Sequence, residues 1–170
     1  MADKYLKAEA GSLTEVTAIS ASAGATDAGK IAALNSSGVI DTTMLPPGTV
    51  EMLVTNPTGS ALAVGDGQGF FLVPASFNGK TIKSIHAGLT TASSSGTPTI
   101  QVARIRGGTP VDVLSTKVTI DANELTSYTA ATPPVVDTAN DDLATGDLLR
   151  IDVDAAGTGA KGLILLIERS

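Results

Sequence analysis

The chain has 170 residues and a formal net charge of −6. Its 11 basic residues against 17 acidic ones leave no electrostatic footprint for nucleic acid and little attraction to an anionic membrane surface. Cys is absent, which excludes disulfides, thiolate catalysis and zinc–sulfur sites.

Hydrophobic residues make up 42% of the chain but aromatics only 3%, with no Trp. The expected core is therefore one of Ala, Val, Ile and Leu, and self-association would add burial that such short side chains lack. The length suits one domain with an extension, or two small domains. The first ten residues show no apolar run after their charges, so no signal peptide is expected. The longest apolar run, residues 163–167, is far short of the roughly 20 residues a helix needs to span a bilayer. The expectation is a soluble chain made without export.

Residues 1–50 are rich in Ala, Ser, Gly and Thr, with scattered apolar residues. Within them GATDAGK, from Gly24 to Lys30, carries most of the phosphate-cradling pattern G-x-x-x-x-G-K-[ST]. Its context fails. Ser20-Ala21-Ser22-Ala23 is no buried strand, Ile31 stands where Ser or Thr should hold Mg²⁺, and Gly38 interrupts the helix that should follow. A glycine-rich link before a short docking segment is the better reading. Residues 30–41 (KIAALNSSGVID) place Ile31, Leu34, Val39 and Ile40 around the turn signal Asn35-Ser36-Ser37-Gly38. Pro46-Pro47 then stops any helix and disfavours a ladder, which sets the expected boundary between an arm, 1–50, and a domain, 51–170.

Strand signals follow. Residues 69–74 (GFFLVP) form an apolar run ended by proline. In residues 81–91, Ile85, Ala87 and Leu89 recur at period 2, with Ile82 on the other face. Residues 97–106 set Ile100, Val102 and Arg104 against Gln101, Ala103 and Ile105. Residues 111–120 are rich in β-branched side chains, and residues 148–154 place Leu149, Ile151 and Val153 on one face. Residues 161–169 are apolar on both faces, as in a central strand. Turn chemistry separates these runs, including Asn78-Gly79 and Gly107-Gly108. Six or more strands at about ten-residue spacing, without an amphipathic helix, predict an all-β antiparallel sandwich or barrel.

Chemistry is sparse. His86, the single histidine, has the parity opposite to Ile85, Ala87 and Leu89, which predicts a polar-face or interface position; a hydrolase would have to pair it with a serine. Residues 137–147 concentrate Asp137, Asp141, Asp142 and Asp147, but without Ca²⁺-loop spacing, so a solvated loop is expected. Asp152 and Asp154 share a strand face without a visible facing partner. Arg104 and Arg106 share a face and are expected to pair with carboxylates of a neighbour. No catalytic, cofactor-binding or metal-binding residue is assigned, and the expectation is a non-enzyme without cofactor.

Two stretches carry a resemblance. Residues 29–46 (GKIAALNSSGVIDTTMLP) resemble a segment recurring in tailed-bacteriophage virion proteins, through Gly29-Lys30-Ile31, Leu34-Asn35, Gly38, Ile40-Asp41 and Met44-Leu45-Pro46. Residues 1–31 resemble the N-terminus of small phage head proteins that decorate, or cement, the capsid. The resemblance implies a virion protein on the capsid outer surface, made in the host cytoplasm. Its extended N-terminal arm would bind the major capsid protein, and its jelly-roll-like β-sandwich would project outward, commonly as a homotrimer. The arm residues it singles out are Tyr5, Leu6, Ile31, Leu34, Ile40, Met44 and Leu45. No nucleic-acid or membrane partner is implied. The alternative is a tail-fibre or tail-tip subunit binding host glycan, for which Tyr5, Phe70, Phe71, Phe77 and Tyr128 are the aromatics on offer.

Overall fold

The computed structural model describes residues 4–9, 12–19, 48–55 and 59–170. The chain divides into two units, Met1–Pro47 and Gly48–Ser170. In the first unit β1 (Lys4–Glu9) and β2 (Ser12–Thr17) form an antiparallel hairpin, in register from Lys4 opposite Thr17 to Glu9 opposite Ser12. No strand was expected this early. Its sequence includes Tyr5, Thr14, Val16 and Thr17, residue types enriched in strands.

The second unit is all-β and antiparallel. One sheet runs β4 (Gly65–Leu72), β11 (Leu148–Ala155), β6 (Thr99–Arg106), β7 (Thr109–Asp112), with β9 (Val118–Thr119) also paired to β6. The other runs β3 (Gly48–Leu53), β12 (Ile164–Arg169), β5 (Ile82–Gly88). A small ribbon joins β8 (Leu114–Thr116) to β10 (Val135–Val136). β12 is the middle strand of its sheet, as its two apolar faces predicted.

The inward faces merge into one cluster. Ile100 and Val102 of β6 and Leu149, Ile151 and Val153 of β11 join Ile85 and Ala87 of β5 and Leu165 and Ile167 of β12. Alternation on β6 and β11 is as the sequence predicted. Aromatics sit at the margin: Phe77 is buried beside half-buried Phe71, 5.8 Å between centroids, and the Arg169 guanidinium lies 4.0 Å over the Phe77 ring.

Three differences from the sequence reading have local causes. Ile82 was expected opposite to Ile85, yet both are 1% exposed in the core. The register steps from Ser84 opposite Glu168 to Ile82 opposite Arg169, so Lys83 is an extra residue that resets the alternation. The run 111–120 is no single strand. After the Gly107-Gly108 turn, both glycines at positive φ, β7 pairs only with residues 103–106 of β6, and the chain returns to Thr99 and Ile100 as β9. Gln101, 4% exposed, fills the gap with its side chain: Oε1 accepts the Val102 amide at 2.9 Å and Nε2 donates to the Leu114 carbonyl at 3.1 Å. Third, β3, β10 and the β1–β2 hairpin carried no strand signal that the sequence reading recognised.

Candidate functional site

The outward face of the β3–β12–β5 sheet holds a small cavity. Ile164 and Leu166 of β12 lie opposite Gly88 and His86 of β5, all four half-buried. The segment after β9 folds over this face and is tied to the β5 edge. The Leu89 amide donates to the Leu125 carbonyl at 2.8 Å, Gly88 bridges Thr126, and the Ala87 amide donates to Ser127 Oγ at 2.9 Å. These bonds set a 3-10 turn, Ser127–Thr129, beside His86. The Tyr128 ring then stacks on the imidazole, 4.2 Å between centroids and 25° between planes. The resulting cavity is about 150 Å³ and is lined by His86, Gly88, Thr126, Tyr128, Ile164 and Leu166, with Ala87.

His86 thus lies on the outer face, as its parity predicted. Ser127 is the serine beside it, with Oγ 3.4 Å from Nδ1. Ser127 is 3% exposed, and its Oγ accepts the Ala87 amide as well as contacting the imidazole. The arrangement orients the ring and anchors the turn.

A second constellation closes one end of the β4–β11–β6–β7 sheet. Arg104 and Arg106 were expected to reach a neighbouring molecule. Instead they pair within the chain. The register places the end of β6 next to the turn that enters β11, so both arginines meet the loop they were read apart from. Arg106 grips Asp147 in a bidentate pair, Nε to Oδ1 at 2.8 Å and Nη2 to Oδ2 at 2.6 Å. Asp142 accepts from Arg104 and, at 2.7 Å, from Arg106. The Ala144 amide also donates to Asp147 at 2.8 Å. Bonding to Arg106 is the main cause that holds both carboxyls below the ordinary carboxylate value. Residues 137–147 are therefore an anchored loop: the expectation of a solvated one is corrected at buried Asp147, while Asp142 is ion-paired and still exposed. Asp152, 4% exposed, bonds Arg150 and the Gly67 amide, while Asp154 pairs with Lys117 at 3.0 Å.

Of the arm residues, Tyr5 lies opposite Val16 and Leu6 opposite Glu15 on the hairpin, with Leu6 67% exposed. Ile31, Leu34, Ile40, Met44 and Leu45 lie outside the described residues, as does the phosphate-loop-like stretch. Among the aromatics, Phe70 and Tyr128 are exposed; Phe70 sits with exposed Leu72 on β4, the outermost strand of its sheet. The stacking of Tyr128 on His86 was not readable in sequence, because about 40 residues separate them. Compared with protein-family models, curated proteins and solved structures, the chain has no significant match.

Proposed function

We propose that this chain is a structural virion protein that binds the outer surface of a bacteriophage capsid and cements it by bridging neighbouring shell subunits. Its partner is the major capsid protein, its working unit a homotrimer, and its sandwich the jelly-roll-like part that faces outward. The observation that carries the reading is the division at Pro47/Gly48. The stretches that resemble virion proteins fall inside the first unit, and the sandwich draws its described core from Met52 onward.

The physics suits an arm. Extended chain covers at most ~3.3 Å per residue, so the roughly 30 residues between the β1–β2 hairpin and β3 could reach about 100 Å at the limit. Ordering such a segment costs about 1–2 kcal/mol of backbone entropy per residue. Broad contact and the avidity of three linked arms offset that cost. The test is a deletion of residues 1–46. The truncated protein is expected to keep the circular dichroism of a β-domain and to lose co-sedimentation with shells lacking this protein. Undiminished co-sedimentation would overturn the reading.

A further inference from the structure

The geometry points to the His86–Tyr128 cavity as a binding site for a pyranose sugar that carries an N-acetyl group. Three features of the site argue for this ligand class. Tyr128 is 63% exposed, yet its ring is held by the stack on His86 at 4.2 Å. A flat aromatic fixed in advance loses little side-chain freedom when a ligand lands on it. Its free face suits the C–H face of a pyranose, and its hydroxyl edge suits the ring's hydroxyls.

The hollow beside the ring is the second feature. At about 150 Å³ it is well below the 300–1,000 Å³ of sites that swallow a whole drug-sized ligand. Ile164 and Leu166 line it with hydrocarbon, and Gly88 contributes no side chain. A space of this size and lining accepts one small apolar group, such as an acetamide methyl, while the sugar ring stays on the tyrosine. Thr126 and His86, which also line the cavity, supply polar atoms for the amide and hydroxyls.

The third feature disfavours a peptide strand as the occupant. Strand addition needs an open sheet edge. Here the β5 edge is already taken by Leu125, Thr126 and Ser127. What remains open is a ring face and a hollow, not a ladder.

This inference does not rest on shell attachment, so either can fail alone. The test is a titration of the full ¹⁵N-labelled chain with N,N′,N″-triacetylchitotriose, followed by amide shifts, with cellotriose as the probe that lacks the acetamide. The expected result is saturable shifts at Gly88, Thr126 and Tyr128 with a Kd of roughly 1 mM, and cellotriose at least tenfold weaker. Tyr128→Ala is expected to weaken binding at least tenfold. Gly88→Ala narrows the hollow without a clash, since its Cβ would meet nothing nearer than the Leu125 carbonyl at 3.6 Å, and is expected to weaken binding at least threefold with the remaining spectrum unchanged. No saturable shift up to about 20 mM would overturn the proposal, and so would shifts confined to other residues. Equal binding of cellotriose would overturn the acetamide assignment.

Discussion

Gln101 does with a side chain what a strand does elsewhere in the sheet. It satisfies the Val102 amide and the Leu114 carbonyl in the gap between the β7 and β9 pairings, beside the bond from the Val113 amide to the Val102 carbonyl. Gln101→Leu keeps the volume but strands both backbone groups away from water, and each buried unsatisfied group costs about 1–3 kcal/mol. A loss of about 3 kcal/mol in urea unfolding is expected, and an unchanged midpoint would contradict the account. Asp147 is 3% exposed and bound bidentately by Arg106, so Asp147→Asn should cost about 2 kcal/mol through its charge-assisted bonds. Its carboxyl is held below the ordinary 3.8 by Arg106. The pair therefore contributes fully above about pH 4, where the unfolded chain's carboxylates are ionised, and its contribution is lost as pH falls through the depressed value. The difference between wild type and Asp147→Asn should shrink on acidification below about pH 4, as read by urea unfolding across pH. None of this was legible in the sequence. The arginines and the acidic loop were both visible, but only the pairing of β6 with β11 brings them together.

At the scale of elements, period-2 alternation was a reliable guide wherever strands are long and regular. β6 and β11 bury the apolar residues that their alternation aligned, and β12, apolar on both faces, is the middle strand it was read as. The guide failed where one residue is inserted, at Lys83, and where the chain changes partner, from β7 to β9. It also missed β3 and the hairpin, whose residues lack a continuous apolar face. β12 offers a direct test of the two-faced reading. Leu165 is 0% exposed between the sheets, and Leu165→Ala should cost about 3 kcal/mol or more. Leu166, its neighbour, is half-buried on the outer face, and Leu166→Ala should cost no more than about 1 kcal/mol. Equal losses in chemical denaturation would place both in one core and contradict the sandwich. In the candidate site, the sequence placed His86 on the outer face but not Tyr128 beside it. That contact depends on hydrogen bonds from Ala87 and Leu89 to a distant loop.

For the whole molecule, the composition foretold a core of small aliphatic side chains, and the cluster of Ile, Val and Leu is that core. The proposal divides the labour between the two units: recognition of the shell by the first, a self-sufficient β-domain in the second. An acidic surface suits such a part, because it avoids adventitious binding to nucleic acid. The account is tested most directly by counting this chain in purified phage particles, by quantitative mass spectrometry against the major shell protein. A protein that cements the shell by bridging its subunits is expected at a copy number comparable with the shell protein. A handful of copies per particle would contradict that claim and move the protein to a tail or fibre.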